Sequence, residues 1–199
     1  KNFVKKHGVV ESRIAQFNKR IQQISNNTDS VEMMRFEATL DLFEKYGSKY
    51  GFDPLMLAAQ GYQESRLDQT AKSHVGAIGV MQIMPATGAS LKVGDIRQIE
   101  PNIHGGVKYM DQLMTHYFPD ARFTEGNRPL FAFASYNAGP GNISRMRKEA
   151  AKRGLDPDKW FNNVEVVVAR EVGRETVQYV SNIYKYYVAY KLVVEQARE

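Results

Sequence analysis

Apolar residues recur along most of this chain at a spacing of three to four, the period of an α-helix with one buried face. Val10, Ile14, Phe17 and Ile21 predict one amphipathic helix within residues 1–29, a zone that closes on the loop signal Ser25-Asn26-Asn27-Thr28-Asp29-Ser30. A second helix is predicted from about Val31 to Tyr46, with Met34, Leu40, Leu42 and Phe43 among its apolar positions, until "YGSKYGFDP" breaks it. Asp53 then reads as an N-cap with Pro54 at the first helical position, and "DPLMLAA" reads as the start of a buried helix. After Pro101 the helical pattern returns over Ile103 to Tyr117 and Leu130 to Ala138, and again from a start near Gly141-Asn142. A last helix is expected from about Glu175 to Gln196, carrying Val177, Val180, Ile183, Tyr184, Tyr187, Val188 and Leu192.

Residues 65–96 depart from this pattern. They are rich in Gly, Ser and Thr, with "HVGAIGVMQIMPATGASLKVGD" at the centre, where Gly76, Gly79, Gly88 and Gly94 mark turns or close backbone approaches. "AIGVMQIM" fits a short strand or hairpin, and Pro85 can open a short helix. The stretch is too long for an ordinary connection, and long loops in compact domains are functional or disordered. Its apolar content favours an ordered, functional insert. The expected fold is therefore mostly α with one irregular, glycine-rich β/loop insert. No internal repeat or low-complexity tract is visible.

Composition narrows the picture. The chain's 199 residues, 43% hydrophobic and 25% charged, suit one ordinary globular domain with an accessory segment. The division expected is 1–30 as a basic linker or helix and 31–199 as the main domain. Residues 1–25 hold six basic side chains against the single acid Glu11, which accounts for the whole net charge of +5. Such a segment can rest on an anionic surface or be simply a solvated helix face. There is no initiator Met and no signal-peptide core behind Lys1-Asn2-Phe3-Val4-Lys5-Lys6, so the chain is expected to be a piece of a longer precursor. No run approaches the length of a membrane span. With no cysteine, thiol nucleophiles, disulfides and Cys-ligated zinc are excluded, and His7, His74, His104 and His116 have no metal-ligand spacing.

The candidate chemistry centres on "GYQESRL". If the helix from Asp53 packs in the core, Glu64 lies near its buried C-terminal end, where desolvation and the helix dipole both favour the protonated carboxyl. That is the setting a general acid needs; a water-exposed helix-end glutamate is the alternative that this stretch alone leaves open. Glycosidases usually pair two carboxylates. Asp68 is the nearest candidate, though an Asp past a helix end more often caps a turn, and Glu175 is a distal one. The insert offers Ser73, Gln82, Met84 and Thr87 as sugar-contacting types. "FASYNAGPGN" places Tyr136 and Asn137 just before a glycine-rich helix stop. Asp156-Pro157-Asp158 begins like a calcium loop but has Phe161 where glycine is needed. There is no P-loop, GxGxxG or GxSxG.

Taken in order, "QES" at 63–65, "GVMQIMPAT" at 79–87, "SYNAGPGN" at 135–142 and "ETVQYVSNI" at 175–183 resemble the goose-lysozyme-like catalytic domain of lytic murein transglycosylases, the SLT type. The match covers roughly residues 45–195. Val80, Ser135 and Val177 stand where the family has Leu, Ala and Arg, and only the last loses a charge. "YGFDPLMLAAQGYQES" is most similar to the membrane-bound transglycosylase F type. The resemblance implies a lysozyme-like α+β fold with the insert beside an active-site cleft. It implies cleavage of the MurNAc-β-1,4-GlcNAc bond of peptidoglycan without water, to 1,6-anhydro products, with Glu64 as sole acid and base. Ser73 would orient an N-acetyl group, Gln82 and Met84 would line the glycan groove, and Tyr136, Asn137, Glu175 and Tyr179 would shape the pocket. No cofactor, metal or nucleic acid is implied. The setting implied is a periplasmic monomer, attached to the outer membrane in a full-length protein with a solute-binding-like domain ahead of this one. A goose-type hydrolase and an inactive glycan-binding module are the alternatives.

Overall fold

The computed structural model describes residues 31–198; the helix expected in the basic segment 1–30 lies outside them. The described residues form eight α-helices and one π-helical segment. They are α1 (Val31–Tyr50), α2 (Pro54–Ser65), α3 (Pro85–Leu91), α4 (Ile99–Tyr117), α5 (Arg128–Ala138), α6 (Pro140–Lys152), the π segment Trp160–Val164, α7 (Glu165–Glu171) and α8 (Arg174–Gln196). None of these helices is long and apolar enough to cross a membrane.

The short helix α2 is the axis of the domain. Asp53 caps it, accepting the Leu55 N–H at 2.8 Å, and Pro54 follows; such a cap stabilises a helix by about 1 kcal/mol. Every residue from Met56 to Tyr62 is buried. A helix buried on all sides needs neighbours all round it, and α2 packs against both α1 and α8, while α5 joins α8, α6 and α4. One continuous apolar core results, with Phe43, Leu57, Phe131, Phe133 and Trp160 fully enclosed. The Trp160 and Phe131 rings pack edge to face with centroids 5.6 Å apart, and the Trp160 backbone N–H donates to Asn127 Oδ1.

Several boundaries differ from the sequence pattern. Helix α1 runs to Tyr50, four residues past the expected end. The glycine that stops it is Gly51, in the left-handed region at φ 75°, with its N–H on the Gly47 carbonyl. Gly47 stays helical and is small for another reason, because a Cβ there would lie 2.6 Å from the Phe52 carbonyl oxygen. Within α1 the inward positions are Met33, Phe36, Thr39 and Phe43, and Met34 is exposed. Helix α4 begins at Ile99, because a proline in the first helical turn costs no hydrogen bond and Pro101 is accommodated there. Helix α7 carries no clear signal: its Val-rich sequence has weak helix propensity, and it follows a kink at Phe161 and Asn162. On α8, Val180 and Ile183 are buried as expected, while Tyr184 and Leu192 face solvent.

Candidate active site

Helix α2 ends abruptly after Glu64 and Ser65. Arg66 and Leu67 both adopt left-handed backbone (φ 54° and 60°), and their N–H groups return to the Tyr62 and Gly61 carbonyls. Left-handed backbone is uncommon for residues other than glycine and is held only where the surroundings fix it. Here Leu67 is buried against the helix it has just left. Gly61 lets this happen: a Cβ at that position would lie 2.9 Å from Leu67, 3.0 Å from Val80 and 3.3 Å from Phe43.

The Glu64 carboxyl sits at this buried turn. Tyr179 of α8 donates its phenol proton to Glu64 Oε1 at 2.5 Å, and Gln60 Nε2 approaches the Tyr179 oxygen at 3.4 Å. Burial pushes Glu64 up to about 7, against a smaller opposing effect of the Tyr179 hydrogen bond. The carboxyl thus keeps a substantial protonated fraction near neutral pH, where an ordinary glutamate would be ionised. Burial, and then the nearby Glu64 carboxylate, hold the phenols of Tyr179 and Tyr136 well above the usual tyrosine range, so both remain neutral donors. Asp68 does not pair with the acid. It accepts from the Thr70 N–H and hydroxyl and forms an ion pair with Arg35 at 3.3 Å, the turn-capping role.

The insert following α2 is ordered without a regular strand. Two isolated bridges, Lys72 with Ile78 and Ile78 with Ile83, form a small hairpin whose turn runs through Gly79 and Gln82, both at positive φ. Side chains from four directions pin it. Asn102 of α4, fully buried, accepts the Met81 N–H at 2.8 Å and donates to the Ile78 and Ile96 carbonyls, both at 2.9 Å. Gln69 bridges the Val80 N–H and the Ile96 carbonyl. The Ser65 hydroxyl reaches the Val80 carbonyl at 2.8 Å, and Tyr136 of α5 donates to the Met81 carbonyl at 2.6 Å. Gly79 and Gly106 permit these contacts, since a Cβ on Gly79 would lie 2.4 Å from Asn102 Nδ2 and one on Gly106 would lie 2.7 Å from Met81. The hairpin is therefore tied directly to the end of the acid's helix.

The remaining candidates fall in distinct places. Ser73 organises its own loop, donating its N–H to the Ala77 carbonyl and accepting the Ala77 N–H on its hydroxyl. Gln82 turns its amide nitrogen inward onto the Gly79 and Ala71 carbonyls. Met84 stands 42% exposed just before α3. Asn137 is exposed and accepts from Thr176 of α8 at 2.8 Å, while Glu175 beside it faces solvent on the first turn of α8. Of these residues, Tyr179 is the one whose hydrogen bond reaches the acid. Sequence reasoning missed Gln60, Gln69 and Asn102. Gln60 had a visible signal, a polar residue inside the apolar run "LMLAAQGY"; Asn102 had none beyond its position after Pro101.

Comparison with solved structures places this architecture. The lytic transglycosylase Slt of Pseudomonas aeruginosa, solved as an inactive variant, superposes with a TM-score of 0.63 at 24% identity, covering 94% of this chain and 29% of that one, a likeness of fold alone. A 70 kDa soluble lytic transglycosylase of Escherichia coli gives 0.58 at 27% identity, covering 77% and 24%. The domain has a lysozyme-like, mostly helical fold. The chain belongs to the transglycosylase SLT domain family, whose sequence profile matches residues 41–158. It is 38% identical over 159 residues to a membrane-bound lytic murein transglycosylase F of Desulfosudis oleivorans, covering 73% of this chain and 35% of that protein. It is 34% identical over 159 residues to one of Pseudomonas fluorescens, covering 73% and 32%. The chain thus spans about a third of the length of these relatives.

Proposed function

We propose that this domain is a peptidoglycan lytic transglycosylase that cleaves the MurNAc-β-1,4-GlcNAc bond with Glu64 as its only acid and base. One observation carries the reading: a desolvated carboxyl, raised to about 7, fixed by a neutral phenol and with no carboxylate among the causes of its shift. Protonated Glu64 gives its proton to the glycosidic oxygen as the C1–O bond breaks. The resulting carboxylate takes the proton of the muramoyl C6 hydroxyl, whose oxygen closes onto C1. Proton and carboxyl are restored, no water is consumed, and the product is a 1,6-anhydro sugar. A protein nucleophile at the 5–5.5 Å spacing of a retaining glycosidase is not required, which fits the commitment of Asp68 to Thr70 and Arg35.

Ser73 is proposed to orient the N-acetyl group of the cleaved sugar, and Gln82 and the exposed Met84 to line the glycan groove. Tyr136, Asn137, Glu175 and Tyr179 are proposed to shape the pocket around the acid, Tyr179 through its bond to Glu64 and Tyr136 through its bond to the hairpin. The relatives named membrane-bound support a membrane-associated setting, which we propose to be the periplasm at the outer membrane, and their greater length is consistent with a further domain ahead of this one. The test is mass analysis of the products from intact murein. Wild-type protein should release anhydromuropeptides, and Glu64→Gln should release them at least a thousandfold more slowly, on the order expected for loss of a general acid that is also the base. Products heavier by one water would indicate a hydrolase, and an unchanged rate in Glu64→Gln would sink the assignment.

A further inference from the structure

Gln60 precedes Glu64 by one helical turn, on the same face of α2. It is fully buried in a run otherwise made of Leu, Met, Ala and Gly. A buried amide is costly unless it is hydrogen-bonded. Here Nε2 makes one long contact, 3.4 Å to the Tyr179 oxygen, and no donor among the described residues reaches Oε1. As a structural element the amide is a poor choice, since an apolar side chain of similar shape would fill the space with no orphan acceptor. Its position suggests a different use. A phenol has a single proton. With the Gln60 N–H directed at its oxygen, Tyr179 has that proton left for Glu64 Oε1. A carbonyl oxygen accepts better than a carboxylic hydroxyl, so the bond from Tyr179 favours Oε1 as the carbonyl oxygen and places the carboxyl's own proton on Oε2. Oε2 has no partner among the described residues.

We propose that Gln60 is a positioning residue for the acid: its amide orients the Tyr179 hydroxyl toward Glu64 Oε1 and thereby keeps the transferable proton on Oε2, the oxygen available to a glycosidic bond. The inference rests on the acid role proposed above for Glu64. The titratable groups facing Glu64 are Tyr179 from α8 and Tyr136 from α5, both neutral, and no charged side chain contributes to its shift. The orientation of one phenol is therefore the main local control on where this carboxyl's proton sits.

The experiment follows the Glu64 carboxyl by carbon NMR across pH in wild type, Gln60→Leu, Gln60→Met, Tyr179→Phe and the Gln60→Leu/Tyr179→Phe double variant. The pH–rate profile of product release is measured on the same proteins. Loss of the amide should weaken the Tyr179 bond to the carboxylate, so the Glu64 midpoint moves to higher pH in both single Gln60 variants. kcat should fall about fivefold with KM unchanged, the pattern of a contact that matters at the reacting state. In the Tyr179→Phe background the Gln60 substitution should move neither quantity, because the pair acts as one unit. A midpoint unmoved in both Gln60 variants, or a shift of equal size in both Tyr179 backgrounds, overturns the proposal. The titration needs no substrate. A wild type that releases no anhydro product would therefore remove the transglycosylase reading while the NMR midpoints still decide the part played by Gln60.

Discussion

At Glu64 the burial that keeps the carboxyl protonated also weakens the fold at alkaline pH. Its folded value of about 7 lies above the ordinary 4.5. Below about pH 4.5 both folded and unfolded chains hold the proton. Between there and about pH 7 only the folded chain does, so the stability linked to this group is lost as pH rises through 7. Glu64→Gln removes that dependence. Thermal melts should show the variant gaining on wild type between pH 4 and pH 8 by up to about 3 kcal/mol, the ceiling set by the shift, while its activity is gone. Wild-type activity should decline as pH rises through about 7, read from initial rates of product release. An alkaline limb that stays flat until the protein unfolds would contradict a buried acid.

Among the elements, the hairpin after α2 is the one whose order depends on single side chains. Asn102 satisfies three backbone groups inside the domain. Asn102→Ala would leave the Met81 N–H buried and unpaired, while the Ile78 and Ile96 carbonyls keep the Ile83 N–H and Gln69, at a cost of about 2 kcal/mol. Gly79→Ala adds a Cβ against Asn102 and Gln69 at a residue already at φ 77°, and should cost about 2 kcal/mol or more. Urea denaturation measures both; retained helical circular dichroism with lost activity would place the damage in the hairpin. Legibility follows the same physics. Helix α2 shows itself in the sequence through Asp53 and Pro54, which act locally, and α5 and α6 show themselves through the return of the helical pattern. The extension of α1 past Gly47 does not, because what distinguishes Gly47 from Gly51 is the approach of Phe52 in the folded chain. Helix α7 is equally silent, since its valines favour helix only once Val167 and Val168 are buried.

For the whole molecule, the ordered motifs from 63 to 183 were readable because each carries a local signature, and the site they surround is assembled from α2, α5, α8 and the hairpin. Its supports were not readable, because Asn102 and Gln69 act across 21 and 11 residues through contacts that only the fold creates. The acid was legible as a helix-end carboxylate; its phenol partner 115 residues away was legible only through family resemblance. One further feature concerns the core. Trp160 is the chain's single tryptophan and is fully enclosed beside Phe131, with its indole N–H unpaired among the described residues. An indole in such a dry setting emits at short wavelength and shifts red on meeting water. The protein thus carries its own fluorophore at the centre of its packing. Its emission should remain unchanged in Glu64→Gln and report, without any label, the moment at which the interior opens.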